Sequence, residues 1–194
     1  MLKKIAVLIF ISIFLSSCGP IIGQLMKVSE GIKDFRIIAG SLNDLGEAQN
    51  ILVITPFAKE SEDYNITRGD DAGMFFRELN NKYNLNAELH VVSRNSELAI
   101  EVSAIRSKSS GQLKDELGLE TEPDLVLFGT ILDRKTMIAP ARGIIMRVAY
   151  RLELFNPVTN GSTVIEVSVK NHLRDCVKLV VTEILRRAEI GDGK

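Results

Sequence analysis

Two side chains in this sequence stand at a spacing that suits chemistry: His172 and Cys176, four positions apart. On a helix that spacing puts both on one face, as a thiol–imidazole pair or as two ligands of a metal. A zinc site needs three or four ligands, and the chain holds only one further His, His90, and one further Cys, Cys18. The preferred reading is a polar residue in a first helical turn and an inert buried thiol. Glu60, Glu62, Asp63, Asp70 and Asp71 form an acidic cluster whose spacing differs from a calcium-binding loop. They read as a solvated loop followed by a helix cap. Positive charge gathers at Arg134, Lys135 and Arg142, followed by Arg147 and Arg151, with only Asp133 and Glu153 against it. Such a patch suits an acidic partner, anionic lipid or cell-wall polymer, or else is simply a solvated loop and the outer face of a hairpin. Arg134, Lys135 and Arg142 are the candidate partner-binding residues. No G-x-S-x-G, Walker loop, G-x-G-x-x-G, H-E-x-x-H or paired C-x-x-C occurs, so no catalytic residue, cofactor or metal is predicted and an enzyme is not expected.

These residues belong to a chain of 194 amino acids, 45% apolar and 25% charged, with 24 basic and 25 acidic residues. That composition is globular and excludes disordered, collagen-like and disulfide-framework classes. A net charge of −1 gives no general attraction to nucleic acid.

The charge is uneven at the start. Lys3 and Lys4 precede Ile5–Leu15, apolar but for Ser12, and then Ser16, Ser17 and Cys18. Eleven residues at about 1.5 Å each fall far short of a hydrocarbon core of about 30 Å. A positive stretch, an apolar stretch and small residues, in that order, mark a cleavable secretory signal over 1–17. Leu15-Ser16-Ser17-Cys18 resembles the bacterial lipobox. That resemblance implies a lipid thioether on Cys18, cleavage before it and acylation of the new amine. Two or three acyl chains give the stable membrane hold that one does not. Gly19 stands where Asp marks inner-membrane retention in enterobacteria. The resemblance therefore implies the outer membrane, facing the periplasm, with the inner membrane the lesser alternative.

The elements that must position the candidate residues read as follows. Leu25, Val28, Ile32, Phe35, Ala39 and Leu42 step at helical spacing, which predicts an amphipathic helix within 18–48. Asn50–Phe57 is a buried strand, and 58–69 a loop. Asp70 or Asp71 caps a helix that turns Ala72, Phe76, Leu79 and Tyr83 inward. Glu88–Val92 is a strand. Ser96 and Ser109 or Ser110 cap two helices, the second stopped by Gly118. Asp124–Leu132 is a central strand, 133–143 a basic loop, and Met146–Leu154 with Thr163–Val169 a hairpin by alternation. Asn171 caps a last helix with Leu173, Val177, Val180 and Ile184 inward. The order predicts an α/β fold: a mixed sheet with an antiparallel C-terminal hairpin and helices packed on it.

A series of short motifs recurs in order. Strand Ile51–Phe57 ends in Pro-Phe. Val91-Val92-Ser93-Arg94 leads to Leu98, and Leu117-Gly118 precedes the strand Asp124–Ile131. The last hairpin turns at Thr159-Asn160-Gly161. Over about residues 50–188 this resembles the CsgG/LpoB superfamily of bacterial envelope lipoproteins, whose fold is similar to the TolB N-terminal domain. The resemblance implies a periplasmic α/β domain at 49–190 without catalysis of its own. Its expected role is to bind and regulate an envelope assembly enzyme, most like the activators of peptidoglycan synthases, with a penicillin-binding protein as partner. The alternative it implies is a subunit of a CsgG-like secretion or envelope-spanning ring, which leaves room for a homo-oligomer. Membrane lipid, through acylated Cys18, is the other expected partner.

Overall fold

A computed structural model describes residues 30–60, 70–81, 85–139 and 143–190. Cys18, the leader, Tyr83 and Arg142 lie outside them. The compact unit begins at Gly31.

The fold is α/β, as expected. Seven strands form one mixed sheet: β1 (Gly31–Ala39), β2 (Asn50–Thr55), β3 (Ala58–Lys59), β4 (Asn86–Val91), β5 (Leu125–Ala139), β6 (Gly143–Asn156) and β7 (Gly161–Asn171). Their order is β1-β7-β6-β5-β2-β4, with β3 beside β5. β2 runs parallel to β4 and β5, while β5, β6, β7 and β1 are antiparallel to their neighbours. The helices are α1 (Asn43–Glu47), α2 (Asp71–Asn80), α3 (Leu98–Arg106), α4 (Ser110–Leu117) and α5 (Leu173–Ile190), with a 3-10 turn at Asn95–Glu97.

The strand pattern decides which helix goes where. Met146, Val148, Tyr150, Leu152 and Leu154 all face one way on β6, as alternation requires. They meet Ile165, Val167 and Val169 of β7 and the inward stripe Val177, Val180, Val181, Ile184 and Leu185 of α5. Ala72, Phe75 and Leu79 bring α2 to the same core. Phe75, fully buried, takes the place expected of Phe76, which packs at the margin. On the opposite face a smaller core joins Leu52, Ile54, Val126, Phe128 and Phe155 to Ile105 of α3 and Leu113 of α4. Helices therefore cover both faces of the parallel half of the sheet. The antiparallel half has α5 on one side and, on the other, a charged outer face.

Local signals explain the helix ends. Asp70 accepts a hydrogen bond from Gly73 N at 2.9 Å, and Ser109 forms a reciprocal capping box with Gln112. Gly118 closes α4 in the left-handed region at φ 66°. α3 carries no side-chain cap, so Ser96 does not serve as one.

Two expectations need correction. Residues 31–39 are a strand, not part of an amphipathic helix, and they belong to the same compact unit as the rest. β1 is bulged twice, between Ile32 and Asp34 and between Ile37 and Ala39. The first bulge adds a residue, so Ile32 and Phe35, three apart as on a helix, face the same core, whereas the second turns Ala39 to the opposite face. Gly31 (φ 101°) and Gly40 (φ 73°) frame the strand as turns. Second, 133–139 is not a loop: β5 continues through it to Ala139 and pairs with β6 from Gly143.

Candidate functional site

The continued β5 changes the meaning of the basic patch. A bulge between Ile131 and Asp133 inserts one residue, so the alternation changes phase. Arg134, opposite Val148, therefore points into the core. Its side chain is 4% exposed and its guanidinium pairs with the Asp71 carboxylate, itself 1% exposed. Tyr150 donates its hydroxyl to the other Asp71 oxygen at 2.7 Å. The Asp71 carboxylate is thus shared between a cation from β5 and a phenol from β6, at the first residue of α2. Two ions in the interior are tolerable only when paired and hydrogen-bonded.

The electrostatics agree. Burial works against the Arg134 charge, but the hydrogen bond and charge of Asp71 outweigh it and raise its pKa. Burial, with Asp71 beside it, holds the Tyr150 phenol well above its ordinary value. Among the described residues, Arg134 Nε is buried without a hydrogen-bond partner. Around Tyr150, Phe75 sits edge-on at 5.5 Å and Phe57 at 6.5 Å between ring centroids. Phe57 in turn lies over Gly129, where a Cβ would overlap its ring.

Arg134 is accordingly removed from the partner-binding set: it locks β5 to α2. Lys135, one residue on, is on the outer face with its side chain 70% exposed and 3.7 Å from Asp133. Arg142 lies outside the described residues. Arg147 and Arg151 do lie on the outer face, and Arg151 is committed there. It bonds Glu166 at 2.9 and 3.0 Å and Glu60 at 2.8 Å, while Arg36 reaches Glu166 from β1 at 2.9 Å. That Arg36–Glu166–Arg151–Glu60 ladder crosses three strands and the loop after β3.

His172 and Cys176 share the start of α5 without forming a pair. The His172 ring meets the Ile144 carbonyl at 3.2 Å. Cys176 is fully buried and its thiol points at the Asn171 and Met146 carbonyls, at 3.5 and 3.8 Å. Burial pushes that thiol up to about 11, which leaves it protonated and unreactive. Of the acidic cluster, Asp70 caps α2, Asp71 is the buried partner of Arg134, and Glu60 pairs with Arg151. Among the described residues no three His, Cys, Asp or Glu side chains converge for a metal. An apolar void of about 20 Å³ lies between α5 and the sheet, lined by Leu residues, Ile51, Ile165, Ile184 and Phe75. Its lining has no polar atom to hold a water or an ionic ligand.

The Asp71–Arg134–Tyr150 cluster was not legible beforehand. Its one sequence signal is Arg134 opposite the alternating strand that carries Tyr150, and the bulge conceals it.

No protein-family model matches the sequence, and no curated protein sequence does. Among solved structures, PelC dodecamers from Paraburkholderia phytofirmans in two crystal forms are similar at TM-scores of 0.47 and 0.44. The identities are 11% and 13%, over 79% of this chain and 98% and 94% of theirs. Hypothetical protein CT253 from Chlamydia trachomatis is similar at a TM-score of 0.36 and 12% identity, over 74% of this chain and 95% of that one.

Proposed function

We propose that this chain is a lipid-anchored, non-catalytic protein-binding domain of the bacterial envelope that regulates a cell-envelope assembly enzyme of the peptidoglycan-synthase kind. The observation that carries this reading is the pairing of a lipobox signal ending at Cys18 with a charged sheet face opposite α5. On that face the side chains of Arg36 and Arg151 remain 60% and 42% exposed even while paired. The ionisable groups of the interior, by contrast, are consumed by one another or by backbone carbonyls, which suits a scaffold. Polar, partly exposed side chains held in register by strands suit recognition of a folded partner.

A photo-reactive residue placed at Arg36 or Arg151 in living cells tests this. The account expects one envelope-protein adduct, with a peptidoglycan synthase in it, and none from the same group at Lys178, exposed on α5. Equal adducts from all three positions contradict it.

A ring subunit is the second reading. What favours it is that, among the described residues, β1 and β4 end the sheet without a further strand beside them, and open edges invite pairing between copies. Adducts made only of this chain support that reading instead.

A further inference from the structure

The two edge strands of the sheet are not alike. β1 is broken by two bulges, a device that keeps an edge from pairing with another chain. β4 has no bulge and pairs with β2 in unbroken register from Asn86 to Val91. Asn86 N–H donates to the Gln49 carbonyl and Val92 N–H to the Thr55 carbonyl, each at 2.8 Å. The even-numbered residues of this stretch therefore turn their backbone groups toward β2. Alternation turns those of Ala87, Leu89 and Val91 off the sheet.

Ala87 is closed there by a side chain. Asn80, the last residue of α2, donates its amide to the Ala87 carbonyl at 3.1 Å and accepts from the Ala87 N–H at 2.7 Å, as a neighbouring strand would. Leu89 and Val91 have no such substitute: among the described residues nothing bonds their outward N–H and C=O groups. Their side chains share the α2 side of the sheet with Ala87. Leu89 packs against the core and Val91 is 62% exposed. No Lys, Pro or bulge guards the stretch from Leu89 to Val91.

We propose that this edge is a self-pairing interface: β4 of one copy lies antiparallel to β4 of a second copy, about a two-fold axis through His90. The open groups set the register. Hydrogen-bonded antiparallel pairs form between residues that point their backbones at each other, so Leu89 takes Val91 of the second copy and Val91 takes its Leu89. His90, bonded to β2, faces its own copy as a non-hydrogen-bonded pair. The side chains agree with this register. Leu89 against Val91 is an apolar, β-branched pairing, and each His90 imidazole keeps Glu101 of α3 at 3.4 Å. A second copy fits better than a longer foreign strand because the open stretch is short and self-complementary, and Asn80 already holds the next outward residue. β1 of another copy fits less well, since bulges interrupt it on both sides of Asp34–Ile37. A two-fold contact closes on itself, so it goes beyond the proposed function and depends neither on lipid at Cys18 nor on a ring.

The test uses the full-length protein in cell membranes, carrying Cys176→Ala and treated with a thiol oxidant. A non-hydrogen-bonded pair sets its Cα atoms about 4.5 Å apart, within the roughly 4.4–6.8 Å that a disulfide spans. His90→Cys should therefore give a disulfide-linked dimer of this chain. Val91→Cys alone should give none, being diagonal to its copy at about 7–8 Å, yet it should couple to co-expressed Leu89→Cys. Val158→Cys, 76% exposed in the turn after β6, controls for collision, and the Cys176→Ala parent accounts for any coupling through Cys18. Val91→Pro removes only an outward N–H, which an edge strand tolerates. Added to His90→Cys, it should lower the dimer yield about tenfold or more, through hydrogen bonds lost on both sides of the axis. A folded His90→Cys chain that stays monomeric overturns the proposal, as does Val91→Pro that leaves the yield unchanged. Where His90→Cys fails to fold, the Leu89–Val91 coupling decides. Coupling of Val91→Cys to Ile37→Cys on β1 in place of Leu89→Cys overturns the two-fold contact in favour of head-to-tail pairing.

Discussion

Arg134 of β5 and Asp71 of α2, 63 residues apart, form an ion pair sealed in the interior, and Tyr150 completes it from β6. The pair fixes the first turn of α2 against the outer half of the β5–β6 hairpin. It turns what reads as a surface charge into a structural lock.

Removing one partner leaves the other charge buried. Asp71→Ala should lower stability by about 3–5 kcal/mol in urea unfolding. Arg134→Met combined with Asp71→Ala should recover much of that loss, because both charges leave together. Equal losses from the single and double variants contradict the coupling.

Gly129 is needed for lack of a side chain, since the Phe57 ring occupies the place of its Cβ. Gly129→Ala should cost about 1–3 kcal/mol through overpacking. Phe57→Leu should soften that cost in the double variant. Thermal unfolding of the four proteins measures it.

Cys176 should be silent toward a thiol reagent at pH 8 in the native state and react fully in urea. A thiol held at about 11 and fully buried has almost no thiolate to offer. Cys176→Ala should leave any cellular phenotype intact. Fast native labelling, or loss of function at normal protein level, contradicts the inert reading.

Glu183 on α5 is held down to about 2, first by its hydrogen bond from Arg186 and then by Arg187. Its folded value lies below the ordinary 4.5. Its contribution to stability is therefore present above about pH 4.5 and lost as pH falls toward 2. Glu183→Gln should flatten stability against pH in that window relative to the parent. An unchanged slope contradicts the assignment.

What the sequence made legible was whatever is written locally. The alternation Met146–Leu154 placed β6 and its buried face. Ser109 and Gly118 marked both ends of α4, and Asp70 the start of α2. The inward stripe of α5 carried Cys176 into the core as expected. What stayed hidden depends on partners far away. In β1 the step from Ile32 to Phe35 reads as helical because a bulge mimics it, and only β7, more than a hundred residues on, decides for a strand. In β5 the bulge before Asp133 reverses the faces, so Arg134 looks solvent-bound until Asp71 and Tyr150 are placed around it. The pairing of Ile138 with Ile144 was within reach, since Met137-Ile138 and Ile144-Ile145 are apolar pairs of strand-forming type that the nearby charges disguised as a basic loop.

The central claim is that the domain is held to an envelope membrane by lipid on Cys18. Mass spectrometry of the N-terminal peptide of protein extracted from cell membranes measures this directly. The account predicts Cys18 as the first residue, carrying a thioether-linked diacylglycerol and an acylated amine. A peptide that begins at Met1, or a Cys18 with a free thiol, contradicts it.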